Sequence, residues 1–131
     1  MQPLTGHHHV ALSVSDLNAS EEWYARVLGF VELLREAGST RKAVVLRFAN
    51  GATSVGLVQH EGEATDFDPT TTGLDHLAFS VATRADLDGW ADHLTACGVP
   101  HSGPLEVPPG AILNFKDPDG ITLALFWDKP R

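Results

Sequence analysis

Among its 131 residues the chain has a single cysteine, Cys97, so no disulfide can form within it, which agrees with a reducing compartment. Nor does it contain an apolar run approaching the roughly 20 residues that span a bilayer, or a basic-then-apolar start of the secretory kind. A soluble, cytoplasmic protein is expected, with no membrane partner. Basic residues are also scarce: nine Lys and Arg stand against seventeen Asp and Glu, for a net charge of −8. Phosphate backbones need basic surface, so nucleic acid is not the expected partner, and the acidic excess reads first as a solubility feature.

What the chain does have is a repeat. His9-Val10-Ala11-Leu12-Ser13-Val14 returns 67 residues later as His76-Leu77-Ala78-Phe79-Ser80-Val81. In both copies a His and two small residues alternate with bulky apolar ones, the period of a strand with one apolar face and one roomy face. The apolar face calls for a helix against it. The roomy face, with an imidazole on it, is where chemistry is expected.

Taken in order, the triplet His7-His8-His9 opens the first strand, with His7 and His8 read as exposed. Asp16-Leu17 then turns the chain, and Asn18 with Glu21 reads as a helix start. Ala19, Trp23, Tyr24, Val27 and Leu28 make the stripe that this helix buries, and Gly29 stops it. Strands follow at Phe30 to Glu36, Ala43 to Phe48 and, after the hairpin signal Asn50-Gly51, Ala52 to Gln59. Residues 61–72 are polar and aperiodic, a linker.

The second half repeats the plan. A strand over Leu74 to Val81 leads to a helix capped by Thr83 and Asp86, with Leu87, Trp90, Ala91, Leu94 and Cys97 on its buried stripe and Gly98 as its stop. Cys97 reads as a packed core thiol. Strands at Val99 to Leu105, Ala111 to Lys116 and Ile121 to Trp127 complete the half, the last two joined by Asp117-Pro118-Asp119-Gly120. Trp23 and Trp90 share the 67-residue offset, as do Phe48 and Phe115. The expectation is one α+β domain over 1–131, built of two βαβββ modules at 7–60 and 73–128 joined by linker 61–72. The two sheets would curl into a cup-shaped open barrel with the helices on its outer face.

The ordered set His9-Val-Ala-Leu-Ser-Val-Ser-Asp16, Trp23-Tyr24, Leu28-Gly29-Phe30, Asp75-His76-Leu-Ala-Phe-Ser-Val81 and Phe115-Lys-Asp-Pro-Asp-Gly120 resembles the vicinal-oxygen-chelate superfamily. This is the group of glyoxalases, extradiol dioxygenases, fosfomycin-resistance enzymes and bleomycin-resistance proteins. The resemblance implies the paired-module cup, commonly completed by a homodimer, and in the metal enzymes a divalent ion held by four equivalent positions. By motif match the opening ligands fall on His9 and His76. The closing ligands, often Glu or His before Leu, fall on Gly56 and Ala124.

Neither closing residue can coordinate an ion, and two imidazoles alone rarely hold Zn, Ni, Mn or Fe. The general base of a glyoxalase-type isomerase is missing with them. His60, Glu61, His101 and Glu106 are the residues near enough in sequence to substitute. His9 and His76 remain the candidate catalytic and metal-binding residues. Strand parity places Ala11, Ser13, Ser54, Gly56, Ala78, Ser80, Ala124 and Phe126 around a ligand cavity, with Asn114 and Lys116 sharing a further strand face. Two readings follow. In the first, no metal cofactor is held, and a small organic molecule is sequestered or altered with histidine assistance. In the second, the chain is a divalent-metal lyase, isomerase or ring-cleaving dioxygenase using His9 and His76. The sequence leaves open whether it is an enzyme.

Overall fold

The computed structural model describes residues 1–51 and 54–131. It forms two compact units, Met1–Thr65 and Asp66–Arg131. Each has the order strand, helix, three strands, in agreement with the expected repeat. The first contains β1 (His9–Ser13), α1 (Leu17–Leu28), β2 (Val31–Ala37), β3 (Arg41–Arg47) and β4 (Ser54–His60). The second contains β5 (Leu77–Ser80), α2 (Arg84–Ala96), β6 (His101–Val107), β7 (Gly110–Lys116) and β8 (Thr122–Asp128).

The two sheets have equivalent topologies. In the first the order is β1-β4-β3-β2, and in the second β5-β8-β7-β6. The first strand of each unit pairs in parallel with the last, and the remaining pairs are antiparallel. A parallel pair needs a long crossover. Here the helix and two strands supply it.

Helix α1 begins earlier than Asn18. Asp16 has extended backbone and its side chain accepts from the Ala19 N–H at 3.1 Å, so Asp16 is the cap. Asn18 lies inside the first turn. The stop is as expected: Gly29 adopts φ 74°, and its N–H bonds back to the helix. Thr83 and Asp86 form a reciprocal capping box on α2, which orders the start of that helix.

The alternation seen in the sequence becomes a division of faces. Leu12, Val14, Val44, Leu46, Val55 and Leu57 are all 5 % exposed or less, and with Trp23, Tyr24 and Val27 of α1 they form the core of the first unit. Tyr24 lies between Trp23, edge-on with centroids 4.9 Å apart, and Phe30, stacked at 6.0 Å. In the second unit Leu87 and Leu94 of α2 are buried, as are Ala111, Leu113, Phe115, Leu123 and Leu125 of its sheet. Burying a Leu-sized side chain contributes about 2 kcal/mol, so this one-sided core is what holds each helix to its sheet.

Several sequence expectations shift. The strand at Leu74 to Val81 shortens to Leu77–Ser80, which leaves His76 one residue before it. Trp90 and Cys97 are half-buried rather than packed core residues. Cys97 lies at the C-terminal end of α2 with its Sγ 3.6 Å from His93 Nε2. The strand expected from Ala52 is described from Ser54 onward; Ala52 and Thr53 lie outside the described residues. Phe48 and Phe115 are not equivalent despite their shared offset. Phe115 is inside β7 opposite Leu123, whereas Phe48 follows the end of β3, and Leu46 opposite Val55 takes the matching place.

Candidate functional site

On the sheet face turned away from the helix, each unit presents the small residues of its first strand. His9, Ala11 and Ser13 are exposed, as are Ala78 and Ser80. Register then assigns their neighbours, because residues opposite one another on adjacent strands point to the same face. In the first unit His9 is opposite Ser54, Ala11 opposite Gly56 and Ser13 opposite Val58. In the second, Ala78 is opposite Ala124 and Ser80 opposite Phe126. His76 immediately precedes β5, one position before the Leu77–Leu123 pair, as Thr122 is one position before Leu123 on β8. Ser54, Gly56, Ala124 and Phe126 therefore share a face with the histidine of their own unit.

The third strand of each sheet adds residues that parity within single strands could not assign. Arg47 pairs with Ser54 and Val45 with Gly56. Lys116 pairs with Thr122, Asn114 with Ala124 and Ile112 with Phe126. Asn114 and Lys116 thus lie on the same face as Ala124, away from α2. Sequence reasoning missed Arg47 altogether. The signal for it was a basic residue near the end of the penultimate strand in both halves, obscured by the misleading match of Phe48 with Phe115.

His76 is half-exposed, and its Nδ1–H donates to the Asp75 carboxylate at 2.7 Å. A carboxylate only accepts, so Nε2 is the nitrogen left for a ligand. His9 Nδ1 lies 2.8 Å from His8 Nδ1, one donating to the other.

Two of the four expected substitutes for the closing carboxylates, His101 and Glu106, are engaged elsewhere. His101 Nδ1 accepts from the Gly103 N–H at 3.0 Å, and its Nε2 lies 2.8 Å from Thr95 Oγ1 on α2. Glu106 accepts from Arg84 of α2 at 2.8 Å. Both residues therefore serve the helix side of the second sheet, not the open side. His60 is exposed at the end of β4, opposite Arg41, and Glu61 follows it. Among the described residues no three His, Cys, Asp or Glu side chains are grouped to hold a metal ion.

The two positions where the resemblance puts the closing ligands, Gly56 and Ala124, are closely packed. A Cβ placed on Gly56 would lie 3.2 Å from the Ala11 Cβ, tighter than ordinary van der Waals contact. The equivalent position of the second unit is Ala124, fully buried beside Ala78. Among the described residues, neither Gly56 opposite Ala11 nor Ala124 opposite Ala78 supplies a carboxylate; the carboxylate beside His76 is Asp75, already bonded to its Nδ1. Each unit by itself offers one imidazole and one hydroxyl at the histidine end of this face, fewer than the three or more protein donors that a divalent ion calls for.

The family model described as Glyoxalase/Bleomycin resistance protein/Dioxygenase superfamily matches residues 6–125. The chain belongs to this superfamily. Among solved structures of the superfamily, a glyoxylase/bleomycin resistance protein/dioxygenase domain from Frankia sp. EAN1pec is 39% identical with a TM-score of 0.90, covering 97% of this chain and all of that one. The uncharacterized protein YaeR of Escherichia coli (strain K12) is 32% identical over 126 residues, 91% of this chain and 93% of YaeR. The putative ring-cleaving dioxygenase MhqA of Bacillus subtilis (strain 168) is 32% identical over 110 residues. These are 79% of this chain but only 34% of MhqA, so the chain spans about a third of that relative. Superfamily membership accounts for the two βαβββ modules.

Proposed function

We infer that this superfamily member binds a small organic molecule on the open sheet faces without a tightly held metal. It would act either by sequestering that molecule or by chemistry assisted by His9 and His76. The observation that carries this reading is the pair of register positions Ala11–Gly56 and Ala78–Ala124, where small residues stand in place of the closing carboxylates. Removing carboxylates removes both the counter-charge for a cation and a general base, and leaves small or apolar surface that suits an organic ligand. Ser13, Ser54, Ser80, Asn114 and Phe126 supply hydrogen-bonding groups and one aromatic ring for it.

The test is metal content of untagged protein purified without a nickel column, together with thermal shifts on adding Zn, Ni, Mn and Fe(II). The expected result is substoichiometric metal and no shift. A stoichiometric ion that disappears in His9→Ala or His76→Ala overturns the reading.

The second reading is a divalent-metal lyase, isomerase or ring-cleaving dioxygenase in which the substrate's own oxygens complete the coordination shell. The exposed His9 and the free Nε2 of His76 support it, as does the similarity to MhqA. It requires both metal uptake and turnover to be lost in either histidine variant.

A homodimer is part of the proposal. β2 is an outer strand of its sheet, and Val31, Leu33 and Leu34 on it are 39 %, 54 % and 51 % exposed. An uncovered apolar edge strand favours pairing with a second copy. Light scattering on purified protein at two concentrations should give twice the chain mass. A cytoplasmic setting suits the lone, half-buried Cys97.

A further inference from the structure

Beside each histidine, the same three kinds of side chain recur in the same order across three strands. In the first unit His9 of β1, Ser54 of β4 and Arg47 of β3 occupy one rung of the sheet. In the second, Thr122 of β8 and Lys116 of β7 are paired, and His76 immediately precedes β5, one position before the Leu77–Leu123 pair. An imidazole, a hydroxyl and a cation thus stand side by side, with neighbouring strands about 4.8 Å apart. The hydroxyl is the middle member in both.

The cations of these rungs differ from the other arginines of the sheets and helices. Arg26, Arg35, Arg41 and Arg84 each hold a carboxylate. Among the described residues Arg47 and Lys116 hold none; the Arg47 guanidinium donates to the Phe48 carbonyl at 3.3 Å. Asp75, the carboxylate next to the second rung, is bonded to His76 Nδ1. In a chain of net charge −8, two cations without carboxylate partners on the open faces are a local reversal of sign.

We propose that each rung is a recognition site for an oxyanion group, a carboxylate or phosphate, of a small organic ligand. The inference rests on the reading of the open faces as ligand-binding and adds the chemical class of the ligand. Arg47 or Lys116 supplies the charge, Ser54 or Thr122 donates its hydroxyl proton to an anionic oxygen, and the histidine flanks the group. The next two rungs receive the rest of the molecule. In the second unit these are Asn114–Ala124–Ala78, then Ile112–Phe126–Ser80, so an apolar or aromatic body extends along the strands from a charged head. The same cations repel a divalent metal ion. The loss of carboxylates at Gly56 and Ala124 and the presence of Arg47 and Lys116 are then two sides of one change in ligand charge.

Benzoate and benzamide test this, since they are nearly equal in shape and differ in charge. Calorimetric titration of the protein in low salt should show benzoate binding at least about tenfold tighter than benzamide, the mark of a charge-assisted contact. Added salt and inorganic phosphate should both weaken it. The double variant Arg47→Met/Lys116→Met should lose the preference, while Arg47→Lys/Lys116→Arg, which keeps both charges, should retain it; melting curves of each variant check folding. Equal binding of the two probes overturns the oxyanion assignment and leaves the small-molecule reading standing. Failure of the wild type to bind benzoate, or unchanged preference in the folded double-Met variant, also overturns it. A stoichiometric metal, by contrast, would overturn the metal-free reading whatever the probes do.

Discussion

Gly56 lies directly opposite Ala11 in the parallel ladder of β1 and β4, so close that a Cβ on Gly56 would meet the Ala11 Cβ at 3.2 Å. The equivalent pair in the second unit, Ala78 and Ala124, carries a methyl on both sides. In the first unit a second methyl would be tighter than ordinary van der Waals contact. Gly56→Ala should destabilise the protein by about 1–2 kcal/mol through overpacking, and Ala11→Gly on that background should recover part of the loss. Urea unfolding of the two single variants and the double variant measures the coupling. Additive effects would show that the two positions do not interact.

The capping box on α2 offers a test of local stability. Thr83 accepts from the Asp86 N–H at 3.2 Å, and the Asp86 carboxylate accepts from the Thr83 N–H at 2.9 Å. Thr83→Ala should cost about 1 kcal/mol and lower the melting temperature by a few degrees, while Thr83→Ser should cost much less. A loss of several kcal/mol would point to a role beyond the cap.

His101 ties β6 to α2 in one tautomer. Because its Nδ1 accepts from a backbone N–H, which can only donate, the ring proton must be on Nε2, where it donates to Thr95 Oγ1. Nitrogen NMR of the neutral imidazole should show the Nε2–H tautomer, with a bare Nδ1. His101→Phe should remove both bonds and cost about 1–3 kcal/mol, with little effect on ligand binding at the open face.

Asp68, in the polar segment of the second unit that precedes β5, carries the expected acid response. Bonds from the Thr70 hydroxyl, then from the Thr70 N–H, hold its carboxyl below the ordinary carboxylate value of 3.8. A depressed native value means that the unfolded chain binds the proton more readily. The stabilising contribution is therefore complete above pH 3.8 and is lost as the pH falls through the native value. Hydrogen exchange should show the Thr70 amide losing protection below that pH, and in Asp68→Asn the protection should no longer depend on pH there.

The repeat, the period-2 strands and the glycine stops were legible because they depend on residues close together in the chain. A run such as His9 to Val14 states its own two faces, and Gly29 and Gly98 end their helices with φ 74° and 75° because only glycine takes that backbone freely. Boundaries were less legible. Asp16 and Asn18 are both good caps by type, and only the backbone decides which side chain reaches an N–H.

The open-face histidines, Gly56, Ala124 and their small neighbours were also readable, since position along a strand assigns a face. Arg47 was not, and neither was the redirection of His101 and Glu106 toward α2. Those placements depend on which residue of one strand stands opposite which residue of another, and a shift of one residue moves every side chain to the opposite face. From its own local chemistry the sequence determined two βαβββ modules, each with a covered and an open sheet face. Only the tertiary structure decided that Ser54 and Arg47 stand in register with His9, and that Thr122 and Lys116 pair at the end of β5 that follows His76. Strand register is set by packing and ladder hydrogen bonds between segments far apart in the chain, and no local pattern encodes it.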